Sequence, residues 1–73
     1  MPPLPTVSGA DLVRALERAG FVRVSQRGSH VKVRHADGQA AIVPMHREVA
    51  PGTLRSILRQ SCLTVAELLA LLA

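Results

Sequence analysis

Gln26-Arg27-Gly28-Ser29-His30-Val31-Lys32-Val33-Arg34-His35 is the stretch that decides the fold. Arg27-Gly28-Ser29 has the composition of a tight turn, because glycine adopts positive φ without steric cost. From His30 onward, apolar and charged residues alternate. Successive side chains of a strand point to opposite faces, so the alternation predicts a half-buried strand over 30–35. With Val31 and Val33 turned to a core, His30, Lys32 and Arg34 share the solvent face, about 7 Å from one to the next. An imidazole in line with two fixed cations on an open sheet suits a phosphodiester substrate.

The flanking residues extend this strand into a sheet. Upstream, 21–26 alternates as well, with Val22 and Val24 set against Arg23 and Ser25, and predicts a first strand. Downstream, Ala36-Asp37-Gly38 contains the Asp-Gly pair favoured in hairpins. The apolar run over 40–44 is the third strand; Pro44 has no N–H for a ladder, so it ends that strand or lies on an edge. Residues 45–50 form a loop carrying His46, Arg47 and Glu48.

Helices bracket the strands. Ser8 reads as an N-cap with Asp11 three residues on, Leu12, Val13, Leu16 and Ala19 recur at helical spacing, and Gly20 is a stop, giving a helix over 9–19. Pro51 suits a first helical turn, and Leu54, Ile57 and Leu58 form the apolar stripe of a second helix over 52–61. Thr64-Val65-Ala66-Glu67 is a capping box opening a short last helix, with Val65, Leu68, Leu69 and Leu72 on one side. The expected fold is α+β, of order α-β-β-β-α plus a C-terminal helix: a three-stranded antiparallel sheet with helices on one face. Its open face is expected to carry Arg23, Ser25, His30, Lys32 and Arg34, and no acid. Residues 1–7, rich in proline, are expected to be a flexible arm, and 8–73 a single domain.

Composition narrows the function. The 73 residues include one aromatic, Phe21, so the stacking platforms on which single-stranded RNA binders rely are missing. Nine Lys and Arg oppose five Asp and Glu, a net charge of +4, and eight of the nine cations are arginines, which fork onto phosphate or carboxylate. Such a balance fits nucleic acid or an acidic partner. The single Cys62 forms no internal disulfide, and no Cys or His pair has zinc-ligand spacing, which fits a reducing, cytoplasmic setting. Cys62 is expected to pack at a helix junction. The N-terminal residues lack the pattern of a signal peptide and no apolar run reaches the length of a membrane span, so no membrane association is expected.

Gly28-Ser29-His30, the turn Arg34-His35-Ala36-Asp37-Gly38, Val43-Pro44 followed one residue on by His46, and the run Pro51-Gly52-Thr53-Leu54-Arg55 followed one residue on by Ile57-Leu58-Arg59-Gln60, taken in order, resemble the HicA (YcfA-like) family of toxins of HicA/HicB toxin–antitoxin systems. The resemblance runs from about Ser8 to Leu69. It implies a double-stranded-RNA-binding-domain-like fold, an mRNA interferase activity with the histidine of Gly-Ser-His essential (His30 by motif position), and a HicB-type antitoxin as partner. Many relatives carry a second histidine where this chain has Val31, a departure that bears on rate or specificity and leaves His30 untouched.

RNA carries its own nucleophile, the 2′-hydroxyl, so cleavage needs a base, positive charge for the phosphorane and help for the departing 5′-oxygen. An imidazole titrates near neutrality and can take or give a proton, an effect worth about 10²–10⁴-fold. The expected catalytic residue is therefore His30, with neither metal nor other cofactor. Arg27, Gly28, Ser29, Lys32, Arg34, Arg47, Arg55 and Arg59 are the expected RNA-binding set; the loop and helix arginines among them serve equally as contacts to a protein partner. His35 and His46 are the other candidates for the second proton transfer. His35 falls on the opposite strand face from His30 and reads as structural. His46, beside Arg47, either anchors its loop, the favoured reading, or supports the site from behind. The alternative is a non-catalytic RNA-binding module of the double-stranded-RNA type, although Pro51-Gly52-Thr53-Leu54 lacks the lysines such modules set at the start of that helix. A more distant reading is a protein whose basic face binds only an acidic protein partner.

Overall fold

Ser8 starts the first helix as its composition predicts, its hydroxyl accepting a hydrogen bond from the Asp11 N–H at 3.0 Å. In the computed structural model, which describes residues 3–73, the order is α1 (Gly9–Arg18), β1 (Val22–Arg27), β2 (His30–Arg34), β3 (Ala40–Pro44), α2 (Pro51–Ser61) and α3 (Val65–Leu72). The fold is α+β, with the α-β-β-β-α order of the double-stranded-RNA-binding-domain type and an added C-terminal helix. Strand order in the antiparallel sheet is β1-β2-β3.

The helices cover one face. Leu12 and Leu16 of α1, Leu54 and Ile57 of α2 and Leu68 of α3 are buried with Phe21, Val31, Val33, Ala41 and Val43 in one cluster. Each large apolar side chain so buried contributes about 1.5–3 kcal/mol. Gly9 brings α1 against the end of β3: its N–H donates to the His46 carbonyl at 2.9 Å, and a Cβ there would collide with the Pro44 carbonyl oxygen. α3 packs chiefly on α1 and is opened by the full Thr64–Glu67 capping box.

The N-terminal segment is partly taken into this core. Met1 and Pro2, part of the expected arm, lie outside the described residues. Val7 is buried, its carbonyl accepts from the Val49 N–H at 2.8 Å, and Leu4 packs against the cluster. Cys62 does lie at the junction of α2 and α3, but in a left-handed cap with φ 58°, and it is exposed rather than packed. No helix among the described residues is long and apolar enough to cross a membrane.

The first strand departs from its alternation. Val22 pairs with Arg34 and Arg23 with Val33, whereas Ser25 pairs with Lys32, Gln26 with Val31 and Arg27 with His30, so a bulge falls at Val24. Residues directly opposite share a face. Arg23 therefore lies on the face of Val33, toward the helices, and is removed from the open face on which it was expected. Uninterrupted register would have set Arg23 opposite Arg34, a pairing of like charges that destabilises a sheet. The extra residue instead places the Arg23 guanidinium 3.8 Å from the Glu17 carboxylate, and leaves Val22 and Val24 62% and 49% exposed.

Candidate active site

β2 is the middle strand, so its two registers fix what stands beside His30. On the open face the sheet presents three rows: Arg27, His30 and Pro44; Ser25, Lys32 and Ile42; Val22, Arg34 and Ala40. Within a row, opposed Cα atoms lie about 4.5–5.5 Å apart. Between rows the step is about 7 Å. His30 and Arg27 occupy the row at the closed end of the hairpin.

The turn joining them is held from both sides. Gly28 has φ +55° and Ser29 does not share the positive sign, the pattern of a type II′ hairpin turn. A Cβ on Gly28 would meet nothing within 4 Å, so the backbone conformation, and not crowding, calls for glycine. The Gln26 side-chain amide donates to the Gly28 carbonyl at 3.0 Å. The Met45 N–H donates to the Ser29 carbonyl at 2.5 Å. His30 thus projects from a rigid strand end, which favours a fixed geometry toward a bound group.

Ser25, Arg27, His30, Lys32 and Ile42 line one shallow depression of about 340 Å³. The ion pairs among the described residues join Arg14 to Asp11, Arg23 to Glu17 and His35 to Asp37. Arg27, Lys32 and Arg34 have no carboxylate within that reach, so their charge is available to an anion. No cluster of three or more His, Cys, Asp or Glu side chains suited to a metal ion occurs among the described residues. The depression can accept a phosphate against two cations and offer it one imidazole.

The other histidines lie elsewhere. His35 closes the second hairpin: its Nδ1 accepts from the Asp37 N–H at 3.0 Å, and its ring meets Phe21 edge-on at 5.2 Å. His46 is exposed in the loop after β3 and serves the fold through its carbonyl, which caps Gly9. Arg47 is exposed in the same loop, which leaves the sheet at the His30 end. Arg55 and Arg59 are not brought to the depression. They border an apolar groove with Leu4, Leu58, Leu63 and Val65 on the far side of α2, and Arg59 donates to the Ser56 hydroxyl at 3.2 Å.

Ile42 and the polar stripe of α2 were not among the residues singled out in the sequence. Thr53, Ser56 and Gln60 border a second depression with Lys32 and Ile42, beyond the edge of β3. Their spacing of three and four is the one available signal, since it puts them on one helix face. Ile42 gave none, because an isoleucine in a short apolar strand reads as core.

Residues 9–63 match the family model described as "HicA toxin of bacterial toxin-antitoxin". No curated protein matches the chain.

Proposed function

Because the chain belongs to the HicA toxin family of bacterial toxin–antitoxin systems, we propose that it is an mRNA interferase, a metal-independent endoribonuclease acting in the cytoplasm, with His30 as general acid/base. The observation that carries the proposal is the single depression in which His30 stands beside Arg27 and Lys32 with no carboxylate to neutralise them. The 2′-oxygen attacks phosphorus, the bond to the 5′-oxygen breaks, and the products are a 2′,3′-cyclic phosphate and a 5′-hydroxyl. His30 serves one of the two proton transfers, taking the 2′-hydroxyl proton or protonating the leaving oxygen. Arg27 and Lys32 offset the charge that builds on the phosphorane. Gly28 and Ser29 set the turn from which His30 projects, and Arg34 extends the cationic line to the next phosphate. Arg47, Arg55 and Arg59 would meet more distant parts of the RNA or of a protein partner.

Membership of the family implies an antitoxin partner. A HicB-type protein bearing carboxylates over the open face would inhibit by covering His30 and its cations, and binding of this kind would add to the stability of a small domain. Incubating the purified protein with a defined RNA in EDTA, followed by analysis of the ends, tests the enzymatic reading. Fragments ending in 2′,3′-cyclic phosphate are expected. RNA that is bound but left intact would replace the nuclease with a non-catalytic RNA-binding module, and 3′-hydroxyl ends would exclude the mechanism.

A further inference from the structure

Ile42 is 53% exposed on the edge strand β3, in the middle row of the open face that also carries Arg27, Lys32 and Arg34. It stands directly opposite Lys32, in the row next to His30. Together with Lys32 it lines both the depression that holds His30 and the one walled by Thr53, Ser56 and Gln60 of α2. Lys32 and Ile42 therefore form the ridge between a cationic pocket and a polar helix face. An isolated exposed isoleucine is ordinary on a protein surface. This one stands in the row next to His30, about 7 Å along the sheet.

We infer that Ile42 is the seat of a nucleobase flanking the scissile phosphate, with the side chains of Thr53, Ser56 and Gln60 facing that base's edge; the inference rests on the nuclease reading above. A phosphate against Arg27, His30 and Lys32 leaves its neighbouring ribose over the middle row. The flat apolar face of a base then packs on the isoleucine, in a chain whose single Phe, Tyr or Trp residue, Phe21, is buried. Two hydroxyls and a carboxamide beyond β3 present donors and acceptors to its polar edge. Packing on an aliphatic side chain is tolerant of base identity, so discrimination falls to the α2 stripe.

The test uses His30→Ala protein, in which binding is read without cleavage. Affinity for a short fluorescent RNA is compared with affinity for an all-abasic ribose-phosphate oligomer of equal length, each with and without Ile42→Ala. The expected result is a loss of about three- to tenfold for the intact RNA, the scale of about one to two buried methylene groups, and no change for the abasic oligomer. Ile42→Phe, which restores a packing surface, is expected to bind the intact RNA at least as well as the parent. An unchanged affinity for intact RNA, or an equal loss for both oligomers, would overturn the inference. So would an Ile42→Ala defect confined to antitoxin binding, which would assign the residue to a protein interface. Failure of the parent protein to bind either oligomer would instead remove the RNA-directed reading on which the inference stands.

Discussion

Arg27 and His30 stand directly opposite each other across the first hairpin, on the open face of the sheet, while Arg23 of the same strand lies on the other face near Glu17. The bulge at Val24 produces this separation. It divides two arginines that composition alone treats alike.

Arg27→Ala is therefore expected to reduce RNA cleavage by about 10²-fold, the scale seen on removing one donor that stabilises transition-state charge. Arg23→Ala is expected to cleave at close to the wild-type rate. Rates measured side by side on one RNA check both. Equal losses in the two variants would place both guanidiniums at the phosphate, against the register.

Val24 and Val33 offer a second check of the same register. Unbroken alternation would pair them in the core, whereas the structure leaves Val24 half exposed and Val33 fully buried. Val24→Thr is expected to change stability by no more than about 0.5 kcal/mol. Val33→Ala is expected to cost about 2 kcal/mol, or roughly 10 °C in the melting temperature of a domain this size. Thermal melts of the two variants decide the matter.

Most of the fold was legible because each element carried its own stop and start signals. Ser8, Gly20, Pro51 and the Thr64–Glu67 box mark helix ends through local hydrogen bonding and backbone preference, and these act within a few residues. The bulge was not legible, because it answers to a relation between strands: Arg23 is drawn toward Glu17 and kept from Arg34, and neither residue is near it in sequence. Exposure of Ile42 is likewise set by its pairing with Lys32, which no run of apolar residues announces. His30 stood out because Gly28, the alternation behind it and the cations beside it are all local.

The capping box of α3 makes stability depend on acid. The Glu67 carboxyl is held below its usual pKa, first by the hydrogen bond from the Thr64 backbone N–H, at 2.9 Å, and then by the Thr64 side chain. A carboxyl with a lower pKa in the folded state adds stability above its unfolded value and gives it up as pH falls through the folded value. Melting temperature is expected to decline through that acidic range. In Glu67→Gln this part of the decline is expected to be absent, while the melting temperature near neutrality is lower than that of wild type. A wild-type pH profile superimposable on that of Glu67→Gln would contradict the assignment.

The central claim is that His30 moves a proton during RNA cleavage, and the most direct measurement is the cleavage rate of one defined RNA in EDTA by wild-type and His30→Ala proteins of matched melting temperature. The predicted result is rapid cutting by wild type and a loss of about 10²–10⁴-fold in the variant. Cleavage by His30→Ala at the wild-type rate would contradict the account, and would move the chemistry away from the hairpin.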